Sequence, residues 1–209
     1  MKYHLGCGGT YLDGYTNVDF PPSEHTIQQS LRADIYADIL TMDYQPCEEI
    51  RSRHFFEHFN YMDSMVLLYR WTKALTIRNN LVIELPDVEA LCKAMLSGSI
   101  EKKFRAIRYL YGSHEAKWAY HINGWSAETL GYVLTKLGYT ISSVRKYGDP
   151  DSNFPNCGVE VSAMLMLKKT DDQLKEVVRE IFSLYRNGDN ETENNLWNIF
   201  NTQFLGKII

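Results

Sequence analysis

Tyr3-His4-Leu5-Gly6-Cys7-Gly8-Gly9 opens with an apolar run that breaks into glycine. Gly14-Tyr15-Thr16-Asn17-Val18-Asp19 and Ala33-Asp34-Ile35-Tyr36-Ala37-Asp38-Ile39 follow at close spacing. The runs Tyr3 to Leu5, Thr16 to Val18 and Ile35 to Ala37 are too short for helices and fit buried strands. In a parallel sheet their ends share one edge, which sets the glycine loop, Asp19 and Asp38 side by side. Glycines let a backbone pass close to a ligand and turn N–H groups toward an anion. A carboxylate ending the second strand can accept from two ribose hydroxyls, and one ending the third from an adenine amino group. Each aspartate alone reads more commonly as a turn or cap residue; three such features in strand order single the segment out.

Other phosphate and nucleophile chemistries fit less well. A dinucleotide loop needs G-x-G-x-x-G, and Tyr11 stands where the third glycine belongs. No Gly-Lys-Ser/Thr follows for a P-loop. Cys7 paired with His58 as a thiol nucleophile leaves the flanking glycines and the ordered aspartates unexplained. His54-x-x-Glu57-His58 has the H-x-x-E-H order of one metalloprotease class, but the sequence names no third ligand, so no metal is expected.

Outward from this stretch, Glu49 to Arg53 fits a fourth strand, the least apolar of the set. Met65, Leu68, Tyr69, Thr72, Leu75 and Thr76 share one helical face, with a stop at Asn79-Asn80. Leu81 to Leu85 reads as a strand closed by Pro86. Asp87 to Leu96 and Ile100 to Leu110 read as helices, and Ser126 caps another that ends before Gly138. Tyr139 to Tyr147 and Gly158 to Leu167 are strands that can pair as an antiparallel hairpin around Gly148 to Asp151. Thr170-x-x-Gln173 is a capping box, and a polar stretch from Asn187 to Asn195 leads to an apolar cluster at Leu196, Trp197, Ile199 and Phe200. Strands alternating with helices before a terminal hairpin predict an α/β domain with a largely parallel sheet. Its ligands would bind at the carboxyl ends of the strands.

The chain has 209 residues, 44% hydrophobic and 23% charged, an ordinary globular composition. With 22 Lys plus Arg against 26 Asp plus Glu, the net charge of -4 argues against a nucleic-acid partner. No apolar run is long enough for a membrane span. Glycines and aspartates fill the place of a signal peptide's apolar core. The four cysteines lie far apart, as reduced thiols of a cytoplasmic protein would. A homo-oligomer is compatible with all of this.

The order Leu5-Gly-Cys-Gly8, Asn17-Val-Asp19, Glu57-His-Phe59 resembles the class I S-adenosylmethionine-dependent methyltransferases, in particular short bacterial members with L-G-C-G, N-V-D and E-H-F patterns. The resemblance covers roughly residues 2 to 168. It implies a Rossmann-like, doubly wound α/β fold with a seven-stranded, mostly parallel sheet and a C-terminal antiparallel hairpin. The methyltransferase domain would be 1–168, and 169–209 a C-terminal helical appendage docking on its own domain or on a neighbour. S-adenosyl-L-methionine would be the cofactor and S-adenosyl-L-homocysteine the product. By resemblance His4, Leu5, Gly6, Cys7, Gly8 and Gly9 meet the methionine part, Asp19 and Phe20 the ribose, Asp38 and Ile39 the adenine, and His54 and Phe55 lie beneath the sulfonium.

The chain departs from the family's pattern in two places. His4 stands where many members carry an acidic residue, and Thr10 replaces the usual third glycine. Only ten residues separate Leu5 from Thr16, near the lower limit for a parallel crossover. The helix after the first strand must therefore be abbreviated, with Tyr11 or residues beyond it covering the site.

Methyl transfer needs a base only for a hydroxyl or protonated amine. His58 and His121 are the catalytic candidates, with His54 and His114 as further histidines. The aromatics between Tyr109 and Tyr147 suit a flat or sugar-like acceptor, a small molecule or a glycan. Tyr132 and Tyr139 fit better as residues that pack the core or an oligomer contact. Lys102, Lys103, Arg105 and Arg108 either meet an anionic acceptor or form a solvated helix face. The alternative function is a methyltransferase-fold cofactor-binding or interaction protein without catalysis. A third is a nucleotide-sugar or dinucleotide enzyme.

Overall fold

The computed structural model describes residues 1–25, 32–149 and 154–208. Seven strands form one sheet: β1 (Lys2–Leu5), β2 (Thr16–Asp19), β3 (Ile35–Tyr36), β4 (Cys47–Arg53), β5 (Leu75–Pro86), β6 (Tyr139–Asp149) and β7 (Phe154–Leu165). Their order is β3-β2-β1-β4-β5-β7-β6. The first five are parallel, and β7 runs antiparallel to both β5 and β6. The expected terminal hairpin is present at the sheet's end, although part of the turn read at Gly148 to Asp151 lies outside the described residues. Strand order reverses between β1 and β4, the position where open α/β sheets leave a crevice for ligands.

Residues 6–15 contain turns only, so the first crossover has lost its helix altogether. Tyr11, expected over the site, is turned toward β3, where its hydroxyl donates to Asp34 at 2.8 Å. Helix α1 (Tyr61–Ala74) begins at Asn60, whose side chain accepts the Asp63 N–H. The helical spacing continues one turn beyond it: Leu75 and Thr76 belong to β5, because Leu75 pairs with Cys47 of β4. A register shift between Cys47 and Glu49 absorbs the change.

Helices α2 (Val88–Ser97) and α3 (Ile100–Tyr111) follow β5, and α4 (Ala127–Leu137) starts at the Ser126 capping box. It ends at Gly138, with φ of 105°, where an added Cβ would stand 2.2 Å from the Leu167 carbonyl oxygen. Only glycine fits that turn. Helix α5 (Asp171–Leu184) has the expected Thr170–Gln173 box, and α6 (Glu191–Lys207) turns the polar stretch and the apolar cluster into one helix. Phe182 of α5 and Trp197 and Phe204 of α6 join the main core, with Phe204 edge-on to Tyr69 of α1. The segment from residue 169 onward therefore packs on its own chain.

The charged strand β4 has a physical reason. Ile50 and Ser52 face the core, while Glu49, Arg51 and Arg53 alternate onto the other side of the sheet. There Arg51 pairs with Glu49 and Glu160, both at 3.4 Å, and Arg53 with Glu84 at 2.8 Å. This part of the sheet is covered by ion pairs, which explains why its sequence lacks the continuous apolar run of a strand buried on both faces. No helix among the described residues is long and apolar enough to cross a membrane.

Candidate cofactor and acceptor site

The glycine loop is tied to β2 by its own backbone. The N–H groups of Gly6 and Cys7 both donate to the Val18 carbonyl, at 2.9 and 3.2 Å. Gly6 has φ of 64°, and a Cβ there would stand 2.4 Å from the Phe55 ring. The close approach of loop and ring thus depends on glycine. Gly8 N–H donates to Asp19 Oδ2 at 2.7 Å. Asp19 Oδ1 accepts the Phe20 N–H at 2.7 Å and lies 3.2 Å from His25 Nε2. Oδ2 keeps a lone pair for a ligand hydroxyl, and movement of His25 would free a second acceptor position. The His25 ring lies 4.9 Å from that of Trp118, whose indole N–H donates to the Glu24 carbonyl at 2.7 Å.

These groups open onto a cavity of about 540 Å³ at the carboxyl ends of β1, β2 and β4, within the usual size of a small-molecule site. Of the residues expected there, Gly6, Cys7, Gly8, Gly9, Asp19, Phe20, Asp38, His54, Phe55 and His58 line it. His4, Leu5, Ile39 and His121 do not. Leu5 and Ile39 are in the apolar core. Asp38 accepts the Leu40 N–H at 2.9 Å in a tight turn, which brings Leu40 to the cavity wall and sends Ile39 inward. His4 is buried, its Nδ1 3.0 Å from Asn17 Oδ1, and burial lowers its pKa despite that bond. His25, Leu40, Arg53 and Asp63 line the cavity without having been singled out from sequence. Leu40 could have been found from the turn at Asp38; His25 carries no local signal.

Beyond β4 the chain turns sharply at His54, with φ of 47°. The Tyr147 hydroxyl lies 2.9 Å from His54 Nε2, and His54 Nδ1 is 3.5 Å from Glu57 Oε1. Burial lowers the His54 pKa, but Glu57 and Glu84 outweigh it and the net shift is upward. Phe56 anchors the following 3-10 turn (Phe56–His58) between Trp71 and Trp125, with ring centroids 5.6 and 5.4 Å away. The Glu57 carbonyl accepts from the N–H groups of Ile122 and Asn123, at 3.0 and 3.2 Å, and so draws the segment carrying His121 against the turn. Glu57 is buried, and neither carboxylate oxygen has a hydrogen-bond partner among the described residues. Burial pushes its pKa up, but His54, His58 and His121 around it bring it below the ordinary value.

His58 Nδ1 lies 3.0 Å from the Tyr120 carbonyl oxygen, and His121 Nδ1 lies 2.7 Å from that of Tyr109. A carbonyl can only accept, so both rings carry a proton on Nδ1, and in the neutral imidazole Nε2 is then the nitrogen with the free lone pair. The two rings are 4.8 Å apart, centre to centre. His114 lies elsewhere, exposed and stacked on Tyr120 at 4.3 Å. Of the aromatic segment, Trp118 lines the cavity and Trp125 and Tyr139 are core. Tyr132 is exposed beneath Lys136 rather than packed inside. The four basic residues before this segment lie on α3, away from the cavity wall.

The fold matches solved structures. One is an S-adenosylmethionine-dependent methyltransferase from Methanosarcina mazei, with a TM-score of 0.54 at 12% identity, over 79% of this chain and 92% of that one. The fold is that of the S-adenosylmethionine-dependent methyltransferases. A mitomycin 7-O-methyltransferase matches with a TM-score of 0.53 at 13% identity, over 78% of this chain and 48% of that chain. LepI, solved with S-adenosylmethionine, matches with a TM-score of 0.51 at 13% identity, over 79% and 43%. No protein-family model matches the sequence, and no curated protein matches it.

Proposed function

We propose that the protein transfers a methyl group from S-adenosylmethionine to a small or sugar-like acceptor. The observation that carries this reading is the convergence of the glycine loop, Asp19, Asp38 and the His54–His58 turn on one cavity at the strand-order reversal. Gly6 to Gly9 are disposed to pass along the methionine part, Asp19 to accept from the ribose, Asp38 and Leu40 to flank the adenine, and His54 and Phe55 to lie beneath the sulfonium. The methyl donor carries its own good leaving group, a neutral thioether, so alignment supplies most of the acceleration. His58 is the histidine with both a free Nε2 and a place on the cavity wall, and it stands where an acceptor's proton must go; His121 stands behind it.

Isothermal titration with S-adenosylmethionine and S-adenosylhomocysteine tests the reading. One molecule of either should bind per chain, and Asp19→Ala should weaken binding by about 1–3 kcal/mol, roughly 5- to 150-fold. Asp19 also holds Gly8 and Phe20, so the melting temperature of the variant is measured alongside. Failure of both ligands to bind at millimolar concentration would leave the fold without this function.

A further inference from the structure

We infer that Glu57, His58 and His121 hold a divalent transition-metal cation at the acceptor wall of the cavity. Each side chain offers one ligand atom, and the three atoms lie within 4.8 Å of one another. Metal-bound nitrogen and oxygen ligands stand about 2.0–2.2 Å from the ion, hence roughly 3 to 4 Å apart, so small side-chain rotations close the site.

Three independent features point to a cation. The Glu57 carboxylate is buried with no hydrogen-bond donor on either oxygen among the described residues, a costly state unless positive charge is near, and the nearest ring nitrogen, His54 Nδ1, stands 3.5 Å away. Both imidazoles have Nδ1 fixed on backbone carbonyls, the outer bond that orients a ligating histidine and aims its Nε2 at the ion. Finally, His121 Nε2 lies 3.8 Å from Glu57 Oε1, too far for a hydrogen bond. With His121 neutral, its Nε2 lone pair faces a carboxylate oxygen across that gap.

Two imidazoles and a carboxylate suit first-row ions such as Mn(II), Fe(II), Co(II) or Zn(II) better than Mg(II) or Ca(II). Glu57 and His121 lie behind the wall and His58 on it, so three ligands leave further coordination positions open toward the cavity. Those positions suit a hydroxyl-bearing acceptor; this second half rests on the methyl-transfer reading. A coordinated hydroxyl loses its proton more readily, and here the proton passes to water. The oxygen lone pair then forms the new O–C bond as the C–S bond breaks, its electron pair staying on sulfur as a neutral thioether. The cation is unchanged in charge. His58 acts as a ligand in this scheme, in place of a base.

The experiment uses the full chain after dialysis against EDTA. Mn(II) is titrated and the free ion followed by its electron paramagnetic resonance, in wild type and in His121→Gln, Glu57→Gln and His54→Gln. We expect one Mn(II) per chain with a micromolar Kd, a loss of at least 10-fold in the first two variants and less than 3-fold in His54→Gln. Bound Mn(II) should also speed water-proton relaxation above that of the aqueous ion, as open positions require. No uptake at 1 mM Mn(II), or unchanged affinity in folded His121→Gln, overturns the site, and Glu57 is then balanced by protonated His54. Relaxation below that of the aqueous ion overturns the open positions. S-adenosylhomocysteine binding is measured separately on metal-free protein. Metal without nucleoside binding would overturn only the methyl-transfer reading, and nucleoside without metal only the cation.

Discussion

The two halves of the sheet share one core, to which β1 and β2 give Tyr3, Leu5 and Val18, but they differ in how much of their cohesion is polar. From β4 onward the elements are joined by apolar packing: Phe56, Trp71, Leu81, Ile83, Val161, Leu134 and Phe182 are wholly buried in one continuous core. The half made of β1, β2 and β3 is stitched by polar bonds around two side chains. Asn17 accepts the Leu12 N–H at 2.9 Å, donates to the carbonyls of Leu12 and Tyr15 at 3.0 and 3.2 Å, and donates to Asp34 at 3.1 Å. Asp19 collects Gly8, Phe20 and His25. The cavity lies at the seam, drawing carboxylates and backbone donors from the polar half and aromatic walls from the apolar half. A shortened crossover removes the helix that would otherwise pack β1 and β2, and hydrogen bonds substitute for it.

The largest expected effect tests the apolar half. Trp71 is fully buried against Phe56, and its indole donates to the Tyr44 hydroxyl at 3.0 Å. Trp71→Ala should cost about 3–5 kcal/mol, read as a fall in the denaturant midpoint. A loss under about 1 kcal/mol would show that this half is not held by its core. Asn17→Ala should cost less, about 2 kcal/mol, because several modest bonds are lost and Asp34 and the Leu12 backbone are left partly unpaired. A loss equal to that of Trp71→Ala would erase the contrast between the halves.

These two residues also mark how legible the molecule is from sequence. Short runs ending in glycine or aspartate expose β1 to β3 because strands and loops of this kind are local. Capping boxes expose α4 and α5 for the same reason. The end of α1 is misplaced by a turn, since Leu75 satisfies a helical face and a strand equally and only pairing with Cys47 decides. At the site, the glycine loop and the aspartates are readable in strand order. His25 beside Asp19, and His121 beside Glu57, are brought in by chain reversals that leave no spacing to read. The H-x-x-E-H order could not name His121 because 62 residues separate His58 from the Tyr120 carbonyl that positions it.

A smaller effect comes from acid. Asp34 accepts the Asn17 N–H at 2.8 Å and the Tyr11 hydroxyl, and these bonds, the Asn17 N–H foremost, hold its carboxyl below the ordinary range. A depressed folded-state pKa contributes stability that is complete above the unfolded value, about 3.9, and is lost as pH falls through the folded value. The polar half should therefore loosen below about pH 4, ahead of the apolar half, with amide exchange rising first at Asn17. Asp34→Asn should abolish most of that difference, and equal acid response in both halves would break the comparison.

The smallest perturbation sharpens it most, because it leaves the protein unmutated. Cys7 sits in the polar half, and burial together with the Asp19 and Asp34 charges pushes its thiol up to about 12. Cys47, at the start of β4 in the core, is pushed up to about 11 by burial. Cys92 on α2 is exposed. At pH 8 a thiol of pKa about 12 is thiolate in roughly one molecule in ten thousand, and burial blocks the reagent besides, so native Cys7 and Cys47 react only when their surroundings open. Iodoacetamide should modify Cys92 first, then Cys7 through local opening of the loop, and Cys47 only at the rate of global unfolding. Cys7 reacting before Cys47 therefore isolates the weaker packing of the polar half. If S-adenosylhomocysteine occupies the cavity, it bridges the halves and should slow Cys7 without changing Cys92. Slowing of both cysteines alike would mean the ligand acts on the whole fold, and the loop would then share the stability of the core.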